Sequence, residues 1–247
     1  LLPALCASSP ILDGKPSGYL DTRLTYYKTN QSRIPSITGM VIPESIDSEM
    51  NYQEVIFKKI KNDIAPFDPE NILDPVWVNS RGAITRFDRG SIEIRIMDVQ
   101  ECPSADLAIT TLVIETLKAL TEELFISKKD QMKWDAAPLA ELLDNTIQDG
   151  SRAIINNADY LKIFGIHKGL ASAKEIWQTT INHLIENGNS HLKKWMPELT
   201  VILEEGTLSD RILKSLDGDF SRENLKKVYK QLALCLAENK MFHTVKS

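Results

Sequence analysis

Residues 79–101 read Asn-Ser-Arg-Gly-Ala-Ile-Thr-Arg-Phe-Asp-Arg-Gly-Ser-Ile-Glu-Ile-Arg-Ile-Met-Asp-Val-Gln-Glu. From Ser91 to Ile96 polar and apolar residues alternate, and a strand sends successive side chains to opposite faces. Ile92, Ile94 and Ile96 therefore share one face, which calls for a covering core, and Ser91, Glu93 and Arg95 share the other. Ala83–Phe87 is a second β-prone run, and Asp88-Arg89-Gly90 supplies a short, glycine-containing connection between the two. The stretch predicts an antiparallel hairpin around which Arg81, Arg86, Arg89 and Arg95 crowd.

A carboxylate is a hard oxygen ligand suited to magnesium, and an arginine fork matches phosphate oxygens in pairs. A face carrying Glu93 beside guanidinium groups can thus receive a metal-bound polyphosphate. An alternating Glu/Arg strand also reads as a plain solvated edge, or as the contact face of a non-catalytic binding or scaffold module. Asp98 and Glu101 raise a third reading, a hydrolase with paired carboxylates. Strand parity sends Glu93 and Asp98 to opposite faces, so Asp98 reads as a strand-end cap or a partner for an arginine.

Arg86-Phe-Asp-Arg-Gly-Ser-Ile-Glu93-Ile-Arg95-Ile-Met-Asp98 resembles the Arg…Gly-Thr-(apolar)-Glu-(apolar)-Arg-(apolar)-x-Asp signature of glutamate-cysteine ligases of the carboxylate-amine ligase type, relatives of glutamine synthetase. A second block, Ala7-Ser-Ser-Pro-Ile-Leu-Asp-Gly14…Gly18-Tyr-Leu-Asp-Thr-Arg23, is similar to the Ser-Ser-Pro…Gly…Ser-x-Arg segment of the same family. The resemblance is strongest over residues 1–101. It implies part of a glutamine synthetase-like catalytic fold and ATP-dependent joining of the glutamate γ-carboxylate to an amine such as cysteine, a step of glutathione biosynthesis. It also implies roles: Glu93 on Mg2+, Arg86 and Arg95 on the transferring phosphoryl group, Arg23 on the substrate carboxylate, and Arg89 as a further phosphate ligand; Arg33, just before the extended run from Ile34, reads equally as another phosphate ligand or as an ordinary surface arginine. The Arg86-to-Glu93 spacing is shorter than in several relatives and Ser91 stands where Thr is common, which leaves open whether Arg86 or Arg89 meets the phosphate. Family members carry a Glu-rich, magnesium-ligating strand upstream of the Ser-Ser-Pro segment. A chain opening Leu1-Leu-Pro-Ala-Leu-Cys without an initiator Met reads as a fragment of a longer protein.

Composition narrows the partners. A net charge of -5 over 247 residues, with a pI near 5.5, argues against nucleic acid, whose backbone needs a clustered positive surface. Cys6, Cys102 and Cys235 are widely spaced and form no Cys-x-x-Cys pattern, which fits a reducing, cytoplasmic setting and neither a disulfide framework nor a zinc site. No apolar run reaches the roughly 18 residues of a membrane span. No phosphate-binding glycine loop, Rossmann turn or nucleophile elbow occurs. Small-molecule substrates are therefore expected, with a homo-oligomer an open option.

Along the chain, Asp13–Gly18 is a loop and Thr22–Asn30 is helical or extended. Tyr52–Ile64 is an amphipathic helix with Val55, Ile56, Ile60 and Ile64 on its buried side. Trp77 reads as core. Helices are expected at about 105–125, 135–150, 151–164, 170–185, 207–218 and 221–238. The first is buried nearly all round, and a capping box starts the helix at Thr207. The fold class is α+β: a short antiparallel sheet at about residues 37–42, 76–87 and 91–98, packed against a mostly helical C-terminal half. Residues 1–101 are read as the catalytic sheet with its substrate loops and 102–247 as a helical region packed on it.

Overall fold

The computed structural model describes residues 1–244 as an α+β chain, mostly helical, in which every strand pair is antiparallel. Its backbone falls into two compact units. One comprises Arg23–Ile96 with Lys133–Glu141; the other comprises Leu1–Thr22, Met97–Met132 and the chain from Leu142 onward.

The unit holding the hairpin begins with α1 (Thr22–Thr29), whose first residue belongs to the other unit. Residues 49–64 form α2, α-helical at Glu49–Tyr52 and Lys58–Ile64 with a π-helical turn at Gln53–Phe57 between. Tyr52, Ile56, Ile60 and Ile64 are buried at every fourth position. That spacing exceeds the 3.6 residues of an α-turn, and the wider π-turn takes up the difference. Val55, expected on this stripe, is exposed for the same reason. The stripe packs with Ile37, Phe57, Ile34, Ile46, Val76 and Val78.

Among the described residues of this unit the paired strands are those of the predicted hairpin: β1 (Ala83–Arg86) pairs with β2 (Ser91–Ile94), with Ile84 opposite Glu93 and Arg86 opposite Ser91. Gly90, at φ 59°, takes the left-handed position of the connection. The other expected strand segments differ. Pro75–Val78 is a helical turn, because Asp74 caps it by accepting from Val76 N at 2.9 Å and Pro75 occupies its first position. Residues 37–42 contribute one isolated bridge, Met40 to Ile42. Past Ile94 a single ladder bond continues, Arg95 N to Gly82 O at 2.8 Å.

Which hairpin face is covered is also reversed. Opposed residues in an antiparallel pair share a face, so Ile84 and Arg86 lie with Glu93 and Arg95. Ile84 and Arg86 are buried, whereas Ile92 is 65% exposed. Ile96 is buried, yet the three isoleucines do not form one core face. At the hairpin root the buried Arg81 grips Glu44 through Nε (2.5 Å) and Nη2 (2.6 Å) and donates from Nη1 to Ser36 O at 3.1 Å. Gly82 is required there by space: a Cβ would meet Ile96 Cγ2 at 2.8 Å.

In the helical unit, α3 (Pro103–Thr121) buries Ala105, Ala108, Ile109, Leu112, Val113 and Ala119 but leaves Leu107, Ile114 and Leu117 exposed, so one face rather than the whole surface is covered. Helix α4 (Ala136–Asp149) crosses from the first unit and stops at Gly150, φ 55°. The helix expected over 151–164 is instead a 3-10 turn at Gly150–Arg152, a two-residue strand β3 (Ile154–Ile155) paired with β4 (Ala171–Ser172), and a short helix α5 (Ala158–Lys162). Helix α6 (Ala173–Glu186) carries a Ser172/Glu175 capping box and buries Ile176, Trp177, Thr180, Ile181 and Leu184. Helix α7 (Met196–Glu205) follows. Helix α8 (Leu208–Leu216) starts at the predicted Thr207/Asp210 box, and α9 (Arg222–Glu238) is capped by Ser221. Between them lies a cluster of Leu208, Ile212, Leu216, Val228 and Phe242. No helix among the described residues is long and apolar enough to cross a membrane.

Candidate functional site

The covered face of the hairpin carries a row of charge within one unit. Glu93 accepts from Arg95 Nε at 2.8 Å through one oxygen and from Arg86 Nη1 at 3.1 Å through the other. Arg86 is also forked onto Asp88, from Nε at 3.0 Å and Nη2 at 2.9 Å. The side chains of Arg86, Glu93 and Arg95 are 5%, 40% and 21% exposed, so the row meets solvent most at the carboxylate in its middle. The hydrogen bond from Arg95 holds the Glu93 carboxyl below the usual carboxylate range against the opposing effect of burial, and the bond from Arg86 adds to it.

Arg95 is fixed from three further directions. Its Nη1 donates to Asn79 O at 2.6 Å, and the Asn79 side chain donates to Tyr52 Oη at 2.9 Å, which ties the site to α2. From α1, Arg23 Nη1 reaches Arg95 O at 3.4 Å. Tyr27, one helical turn after Arg23, lies beside Arg95; burial pushes its phenol above the ordinary tyrosine value, and Arg95 pulls the other way. Arg23 and Tyr27 share a face because residues four apart do so on a helix.

Of the residues singled out in the sequence, Arg23, Arg86, Glu93 and Arg95 are brought together. Arg89 stands at the turn, exposed, 3.4 Å from Asp88. Arg33 lies over the Phe67 ring at 4.6 Å, and none of its described contacts is with the hairpin. The sequence reading missed Tyr27, Asn79 and Trp77. Tyr27 was within reach, since its spacing from Arg23 is the helical one. Trp77, expected in the core, is 65% exposed and lies 5.1 Å from the Arg86 guanidinium.

Chemically, three guanidiniums face two carboxylates, and the row suits an anion better than a bare cation. Among the described residues no three His, Cys, Asp or Glu side chains gather as a metal cage. Magnesium commonly takes one or two protein carboxylates and completes its shell with water and substrate phosphates. Glu93 fits that role for an ion arriving with a polyphosphate, and the set does not fit a resident metal held by protein alone.

The chain is 32% identical over 248 aligned residues to an uncharacterised protein of Archaeoglobus fulgidus; the match covers 98% of this chain and 58% of that protein, so the chain spans little more than half the length of this curated relative. Residues 1–231 match glutamate-cysteine ligase family 2. The Ser-Ser-Pro block, the Glu-x-Arg hairpin and most of the helical unit all lie within that span, and the chain belongs to glutamate-cysteine ligase family 2.

Proposed function

We propose that the protein of which this chain forms at least a part joins a carboxylate, that of the glutamate side chain, to the amine of cysteine at the expense of ATP. Family membership supports a ligase of this kind. The observation that carries the finer reading is the convergence of Arg23, Arg86, Glu93 and Arg95 on one face of the hairpin.

A carboxylate is a poor electrophile until phosphorylated. In the proposed sequence a glutamate oxygen attacks the γ-phosphorus of ATP and the bond to ADP breaks. The amine nitrogen then attacks the acyl carbon, inorganic phosphate leaves, and the nitrogen gives up a proton. The protein's share is positioning and neutralisation of phosphate charge. Arg95, held by Asn79, Tyr27 and Glu93, meets the transferring phosphoryl oxygens. Arg86, closed by Asp88 and Glu93, adds fixed positive charge behind it, and Arg23 orients the glutamate carboxylate. Glu93 would be the residue of this chain to hold a magnesium ion arriving with ATP, and that ion would offset phosphate charge.

The test is phosphate release by the full-length protein with glutamate and a panel of amines. Release that requires glutamate and is greatest with cysteine supports the reading; release with no carboxylate requirement contradicts it. The 247-residue chain by itself is expected to be inactive and to bind Mg-ATP more weakly than micromolar, which calorimetry checks.

A further inference from the structure

The ligase reading leaves Trp77 without a part, although it adjoins the charged row. We infer that Trp77 is the platform on which the base of the nucleotide stacks, and that the base occupies the cavity between the π-helical turn of α2 and the end of β1. This inference rests on the proposed ATP-dependent function and adds to it the direction in which the nucleotide lies.

The cavity has a volume of about 240 Å³ and is lined by Gln53, Phe57, Val76, Trp77, Phe87 and Arg86, among others. Pockets that enclose a whole drug-sized ligand run from about 300 Å³ upward. This one suits a ring system, and the charged remainder of a nucleotide must lie outside it. Three aromatic side chains, Phe57, Trp77 and Phe87, share its lining with the carboxylates of Asp74 and Asp88, and Phe57 and Phe87 each stand edge-on to Tyr52, with ring centres 5.1 Å and 5.4 Å away. Gln53, in the π-turn, is exposed and brings an amide with both donor and acceptor to the rim. π-Bulges within helices recur at functional sites.

The order of groups carries the argument furthest. Trp77 lies 5.1 Å from Arg86, Arg86 donates to Glu93, Glu93 accepts from Arg95, and Arg95 adjoins Arg23 and Tyr27. An aromatic platform, a run of guanidinium and carboxylate, and a carboxylate-binding arginine thus follow one another within one unit. A base, its phosphates and an acceptor carboxylate would follow in the same order. A large aromatic held at a cavity mouth beside an arginine is the composition of a stacking site for a base that carries phosphate.

The experiment compares the full-length protein with its Trp77→Ala and Trp77→Phe variants. Equilibrium affinity for ATP and for inorganic tripolyphosphate is measured, each with Mg2+. Wild type is expected to bind ATP at least tenfold more tightly than tripolyphosphate. Trp77→Ala should weaken ATP about tenfold or more and leave tripolyphosphate unchanged, and Trp77→Phe should keep most of the ATP affinity. Unchanged tripolyphosphate binding also shows that Arg86 and the fold survive the substitution. ATP affinity equal in wild type and Trp77→Ala, with tripolyphosphate still bound, overturns the base site and leaves the ligase reading standing. Failure of wild type to bind either ligand overturns both.

Discussion

Ser9 Oγ donates to Asp98 Oδ2 at 3.0 Å, and Ser8 N donates to the same oxygen at 3.3 Å, across about ninety residues of chain. The Ser-Ser-Pro block and the terminal Asp of the hairpin signature are thereby one structural feature of the helical unit. Asp98, read from the sequence as a strand-end cap or a partner for an arginine, holds this turn. Gln100 reinforces it by donating to Cys6 O at 2.8 Å.

Removing Asp98 strands its donors in a buried setting. Asp98→Ala is expected to cost about 2 kcal/mol, in the range for hydrogen bonds to a charged group. Ser9→Ala should cost less, and the double variant less than the sum. Urea unfolding of the four proteins measures the coupling.

A larger loss is expected at the ion pair of Glu101 and Arg211, both fully buried, where Arg211 also donates to Phe242 O and Phe242 N donates to Glu101. Arg211→Met leaves a carboxylate unpaired in the core and should cost about 3–5 kcal/mol. Replacing both, Arg211→Met with Glu101→Leu, should cost less than the single change. A double variant as unstable as the sum of the singles would show that the pair is not coupled.

The reversed hairpin face makes opposite forecasts for two isoleucines. Ile84, 2% exposed, should lose about 2–5 kcal/mol on truncation to Ala. Ile92→Ser should change stability by no more than about 0.5 kcal/mol in this chain. Thermal melts decide it, and a severe effect at Ile92 would restore the isoleucine face as core.

Acid sensitivity follows from Glu93. Its carboxyl is held below its ordinary value first by the bond from Arg95 and then by that from Arg86. A group depressed in the folded state contributes stability in full above its unfolded value, near 4.5, and loses that contribution as pH falls through the lower folded value. Wild type should therefore lose more stability than Glu93→Gln between about pH 5 and pH 3. The difference is modest because the side chain is 40% exposed. Parallel pH profiles would mean that the arginines do not stabilise the carboxylate.

Much of the helical unit was readable because its signals are local. The Ile176, Trp177, Thr180, Ile181 and Leu184 stripe and the Thr207/Asp210 box need only neighbouring residues to be recognised. The hairpin and its connection were readable for the same reason. Which face it buries was not, because strict alternation fixes the two sets and tertiary packing decides which is covered. At Pro75–Val78 two valines around Trp77 suggested a strand, but Asp74 and Pro75 were the stronger, helix-starting signal. The partner of Arg81, Glu44, lies 37 residues away and leaves no local trace. Arg33 illustrates the converse: its residue type matched a phosphate ligand, and the fold set it against Phe67.

Glu93, together with Arg95, is proposed to serve phosphoryl transfer from ATP to a carboxylate. The most direct measurement of this role is glutamate-dependent phosphate release by the full-length protein, with Glu93→Gln and Arg95→Ala each compared with wild type and Ile92→Ser as a control on the opposite face. Either site variant is expected to lower kcat by about a hundredfold or more, equivalent to roughly 3 kcal/mol of barrier, while the control retains wild-type turnover. Wild-type turnover in folded Glu93→Gln and Arg95→Ala proteins would contradict it.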